Sequence, residues 1–148
     1  MKLMRGLKAV LFVLAICWVT SAHAQEAAAG CSNSRLSGDY AFTGSGELVG
    51  VGPLSSVGKL DFDGSGNVTS LLVHGVVNGV QPPADFSTGT GTYVVNADCT
   101  GRIHIVQNSG PTLDILIVVA RKGHEIRGVN AAPGVNVISN FVKVDTRL

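Results

Sequence analysis

A repeated rhythm constrains this chain more than any single residue does. From residue 36 onward, runs rich in Val, Ile, Thr, Tyr and Phe alternate with tight clusters of Gly, Pro, Asn, Asp and Ser. β-Branched and aromatic side chains fit a pleated, half-buried surface, while the clustered residues favour turns. Eight such runs fall at 38–49, 56–62, 68–77, 86–96, 102–107, 112–121, 124–130 and 135–144. No run of helical periodicity lies between them, and the connections are short. That is the pattern of an antiparallel up-and-down meander. Eight antiparallel strands of this length close into a barrel, which also removes exposed edges; an open sandwich is the runner-up. The expected fold class is therefore all-β, a single antiparallel up-and-down β-barrel of about eight strands.

Alternation assigns the two faces. The expected interior is Tyr40, Phe42, Leu60, Phe62, Tyr93, Val95, Ile103, Ile105, Leu113, Ile115, Ile117 and Ile126. The run that begins at Thr112 and ends at Arg121 is unusual. Leu116, Val118 and Ala120 fall on the face opposite Ile115 and Ile117, so both faces are apolar. A strand buried on both sides predicts a homo-oligomer interface, or cover by a terminal segment.

The first 24 residues read differently. Lys2, Arg5 and Lys8 precede an apolar stretch from Ala9 to Val19, and Ala22-His23-Ala24 follows. A basic head, a short apolar run and a small-x-small end make a secretory signal peptide, cleaved near Ala24. The apolar run falls short of the roughly 20 residues that span a bilayer as a helix. The expected domains are a signal peptide over 1–24, an N-terminal lead over 25–35 and a β-barrel over 36–148. The address is secreted or periplasmic, with no membrane span in the mature chain. Lipidation at Cys17 is the lesser reading, because Ile16 stands where a small residue is usual.

Cleavage also resets the charge. Of the eleven Lys and Arg, three leave with the signal, and all ten Asp and Glu stay. A weakly acidic chain offers no electrostatic case for nucleic acid or an anionic membrane surface. Two cysteines remain, Cys31 and Cys99, in an oxidising compartment where a single pairing is open to them, and a Cys31–Cys99 disulfide is expected. Two independent buried thiols are the alternative.

Side chains capable of chemistry are scattered. Asp61-Phe62-Asp63-Gly64-Ser65-Gly66-Asn67 places oxygen-bearing groups at alternate positions, as a calcium loop does. Leu72 stands where an EF-hand needs its bidentate Glu, and Asp-Gly-Ser-Gly-Asn is also a hairpin turn. His74, His104 and His124 fall on different runs without metal spacing, and His104 faces outward. No metal or cofactor is expected. Asn67-Val68-Thr69 is a formal glycosylation sequon and is discounted in a hairpin of a bacterial-looking chain. There is no Gly-x-Ser-x-Gly and no P-loop, and Gly44-Ser45-Gly46 lies within a strand.

Three stretches carry a resemblance. They are Leu36-Ser37-Gly38-Asp39-Tyr40-Ala41-Phe42, Gly58-Lys59-Leu60-Asp61-Phe62-Asp63-Gly64-Ser65-Gly66-Asn67-Val68 and Gly91-Thr92-Tyr93-Val94-Val95-Asn96-Ala97-Asp98-Cys99-Thr100-Gly101. In that order they resemble a group of small secreted bacterial proteins whose fold is similar to the allene oxide cyclase barrel, a relative in shape of the lipocalins. The match covers most of residues 31–148. The resemblance implies a barrel, and the group's cysteines fit Cys31 and Cys99. It carries over no catalytic residue, since fold alone does not transfer an activity.

The expected job is non-catalytic binding, of a small apolar molecule inside the barrel or of a protein partner at its surface. Tyr40, Phe42, Phe62, Phe86 and Tyr93 would line such a cavity, or else simply pack the core. The rival is an isomerase or cyclase acting on an apolar substrate, which needs an inward polar group; Glu47, Asp114 and Asn140 are its candidates. A structural or surface-exposed interaction protein is the third reading.

Overall fold

A computed structural model describes residues 30–144. The signal-peptide reading, Cys17 and the first part of the lead lie outside those residues. Eight strands follow in order: β1 (Ser37–Leu48), β2 (Gly52–Asp63), β3 (Asn67–Val77), β4 (Ser87–Val95), β5 (Thr100–Gln107), β6 (Leu113–Ala120), β7 (Glu125–Asn130) and β8 (Val135–Lys143). Each pairs antiparallel with the next, and β8 returns to β1, so the sheet closes. The all-β up-and-down barrel expected from the rhythm is what forms.

Alternation carries through the ladders. Tyr40, Phe42, Leu60, Phe62, Tyr93, Val95, Ile103, Ile105, Ile115, Ile117 and Ile126 are all buried, and Leu113 packs half-buried against them. The pattern slips once. A bulge between Val68 and Leu71 leaves Thr69 and Ser70 both exposed, which shifts the face parity of everything after them in β3. His74 thereby faces out, beside its partner Val57.

The two ends are built differently. At one end, a 3-10 turn (Asn33–Arg35) crosses the opening and Leu36 drops into it, fully buried. Asn33 Oδ1 accepts the Val95 N–H at 2.7 Å, and the Cys31 N–H donates to the Ala97 carbonyl at 3.0 Å. Cys31 and Cys99 are joined by a disulfide across 68 residues of sequence. Gly123 sits under this cap with φ +94°, where a Cβ would collide with the Arg35 carbonyl. At the other end, the mouth, no segment among the described residues crosses. Inward-facing Leu48, Leu54, Val77 and Val135 there are only half-buried.

Candidate functional site

The inner aromatics belong to one packed core, in a stack of three rings and a separate pair. Tyr40 and Phe62 meet edge to face at 5.1 Å between ring centroids, and Phe62 meets Tyr93 the same way at 4.9 Å. Phe42 and Phe141 lie in a tilted pair at 5.4 Å. Gly58 admits the Phe42 ring; a Cβ there would run into it. The hydroxyls are occupied as well. Tyr40 donates to the Gly123 carbonyl, and the Tyr93 hydroxyl lies 3.0 Å from the Asn33 carbonyl and 2.9 Å from that of Leu36. Burial, reinforced by the neighbouring Tyr93, pushes the Tyr40 phenol up to about 12, and burial raises Tyr93 too. Both stay neutral, Tyr40 as a donor to Gly123 beneath the cap and Tyr93 as a donor to the cap itself.

Four of the five aromatics named for a cavity, Tyr40, Phe42, Phe62 and Tyr93, are thus brought together in the packed stretch of the barrel. Phe86 is not with them. It precedes β4 on the β3–β4 loop, half-exposed, with its edge against the His74 ring at 6.1 Å.

The enzyme reading needs an inward polar group, and none of its three candidates points inward. Glu47, Asp114 and Asn140 all point outward, because each falls on the opposite parity to a buried neighbour. Glu47 is exposed, alternating with inward Phe42 and Gly44 on β1. Asp114 adjoins buried Ile115 and holds His104 on the outer face, Oδ1 to Nδ1 at 3.0 Å. Asn140 precedes buried Phe141 and accepts from Arg127 Nη1 at 2.9 Å.

The Asp61–Asn67 segment is a self-capped turn. Asp63 Oδ1 accepts the backbone N–H groups of Ser65, Gly66 and Asn67 at 2.7, 3.0 and 2.9 Å, and its second oxygen takes the Asn67 amide at 2.6 Å. These bonds, led by the Asn67 side chain, hold its carboxyl down at about 2. Both oxygens are committed to the turn. Among the described residues, no three His, Cys, Asp or Glu side chains gather as a metal site.

The outer face offers more. A shallow groove of about 600 Å³ runs across β4–β7, lined chiefly by Val94, Leu116, Val118 and Val129 with Arg102 and Arg127. Register explains the cluster: Val94 pairs with Arg102, Arg102 with Leu116, Leu116 with Val129, and Val118 with Arg127. All are outward positions. The charges are matched within the face. Arg127 pairs with Glu125, and Arg102 lies 3.9 Å from Asp114. Leu116 and Val118 were legible from β6 alone. Val94, Arg102, Arg127 and Val129 were missed, although the same alternation read across neighbouring strands would have placed them beside Leu116 and Val118.

Comparison with family models, with curated proteins and with solved structures finds no match to this chain.

Proposed function

We propose that this protein is a non-catalytic binding module whose partner, a second copy of the same chain, seats on the outer face of β4–β7. One observation carries the reading: Val94, Leu116, Val118 and Val129 stand exposed around one groove, with Ile138 next to Val129. Contiguous apolar patches of more than a few hundred Å² are uncommon on monomers. The internal pairing of Arg102 with Asp114 and Arg127 with Glu125 leaves the face close to neutral, so two copies meet without like-charge repulsion. A standard interface removes about 800 Å² per partner, and exposed Ile138 on β8 extends the apolar face beyond the groove.

The setting is extracellular or periplasmic, after cleavage near Ala24. The Cys31–Cys99 disulfide fits such a place, and no helix among the described residues is long and apolar enough to cross a membrane. The likeness to the allene oxide cyclase barrel belongs to the same proposal and concerns shape.

Sedimentation velocity at micromolar concentration tests the interface. A dimer is expected for the unmodified protein, and a monomer of unchanged circular dichroism for Leu116→Glu with Val118→Lys. A monomer in both cases sinks the proposal.

A second reading has its own observation. Half-buried Leu48, Leu54, Val77 and Val135 line the mouth, where a small apolar molecule could lodge. Native mass spectrometry of protein purified from its own source would show such a molecule as a retained mass.

A further inference from the structure

Charge separates the two ends of the barrel. The mouth is formed by four loops, 49–51, 78–86, 108–112 and 131–134. Asp85 is the one ionisable side chain in them. The opposite end carries Arg35, Asp63, Asp98, Arg121, Lys122 and His124 in its turns and hairpins.

Three of the mouth loops are tied into one rim. The Val49 N–H donates to the Gly134 carbonyl at 2.8 Å, and the Asn78 N–H to the Pro53 carbonyl at 2.7 Å. Phe86 is held by the His74 ring, whose Nδ1 bonds the Asp85 carbonyl. On this rim Val80 is 70% exposed, Val49 61%, Val51 58% and Phe86 50%. The outer face of β4–β7 also exposes apolar side chains, but two arginines and their acids stand among them, as suits a protein interface. The rim loops carry one charge, Asp85, with the outward acids Glu47 and Asp114 just behind them on β1 and β6 and no Lys or Arg.

We propose that the mouth rim docks on an uncharged lipid surface, with Val49, Val51, Val80 and Phe86 reaching the boundary between headgroups and acyl chains. Apolar side chains leave water there, and the rim brings no Lys or Arg to an anionic headgroup. Asp85 favours a zwitterionic surface over an anionic one. Behind the rim, Leu48, Leu54, Val77 and Val135 face the same apolar layer, so docking covers the half-buried mouth as well. This site is separate from the outer face and stands whether or not that face binds a second copy.

The test uses protein purified as a secreting host releases it, mixed with vesicles of phosphatidylcholine alone. Residues 30–144 hold no Trp, so Val80→Trp places a reporter on the rim and Thr43→Trp a control on the outer wall. The protein should float with the vesicles at low and high salt. The emission of Val80→Trp should move to the blue on binding, and that of Thr43→Trp should not. Val51→Asp with Val80→Asp should weaken vesicle binding by about tenfold or more, with the circular dichroism unchanged. Failure to float overturns the proposal. So does flotation that requires anionic lipid and falls with salt, an unshifted Val80→Trp, or unweakened binding by the double Asp variant. Should that variant fail to fold, the Trp pair decides alone.

Discussion

Compare the capped end of the barrel with its mouth. Both are walls of the same eight strands, and both alternate one side chain in and one out. At the capped end Tyr40, Phe62, Val68, Ile103 and Ile126 are fully or almost fully buried. At the mouth the inward residues are only half-buried, Leu48, Leu54, Val77 and Asn130 among them. Strand pattern decides which way a side chain points. Whether that direction amounts to burial depends on what closes the end, and here the closure comes from residues 31–36, outside every strand. Side chains are sealed from solvent beneath the cap and left partly exposed at the mouth.

Breaking the disulfide should have the largest effect. The Cys31→Ala, Cys99→Ala chain should lose about 4 kcal/mol, since the bridge closes a long loop. Denaturant unfolding measures the loss, and hydrogen exchange should show it concentrated in the Asn33–Arg35 turn and the β4–β5 hairpin. Loss spread evenly to the mouth loops would remove the distinction between the ends.

Next comes a matched pair of truncations. Phe62→Ala should destabilise by about 3–4 kcal/mol, because it empties the centre of the aromatic stack. Leu54→Ala at the mouth should lose about 1 kcal/mol, since much of its surface already meets water. Equal losses in denaturant unfolding would mean that the mouth is as dry as the cap.

Tyr93→Phe is a smaller change at the same cap. It removes the hydroxyl that faces the Asn33 and Leu36 carbonyls and should cost about 1–2 kcal/mol. The result sharpens the comparison if Thr43→Val, on the exposed outer wall, leaves the denaturation midpoint where it was.

Acid should act most gently, and at the capped end. Asp63 is held at about 2 by its turn, and hydrogen bonds from the Thr100 side chain and backbone likewise lower Asp98. A folded-state pKa below the unfolded value, near 3.9 for Asp, means stability that is complete above that value. It is lost as the pH falls towards about 2. Thermal melts across that window should show the decline, and Asp63→Asn should flatten part of it. Both turns lie at the capped end, so the mouth should be indifferent to the same acid.

Much of this was legible in the chain. The eight runs became eight strands with bounds shifted by only a few residues, because period-two alternation and turn chemistry are both local. The outward aim of Glu47, Asp114 and Asn140 was available from the same alternation, each lying next to an inward neighbour. Reading them as inward polar groups sets chemistry ahead of parity. Other features were not readable. The cap over 31–36 has no periodicity, and its partners Val95, Ala97 and Cys99 are distant in sequence. The register of His74 depends on the bulge after Val68, which a local pattern does not reveal. The outer groove joins four strands and becomes visible only when their registers are known.

The cap also orders events in time. Cys31 has its partner at Cys99, and β1 needs β8 to complete the ring. A chain made from its N-terminus therefore holds the 31–36 segment idle until the fifth strand is about to begin. Its first strand keeps one edge bare until the last strand is complete. Of the eight strands the first made is the last to be paired on both edges, and the Tyr40 and Phe62 stack has no lid until Cys99 has been made.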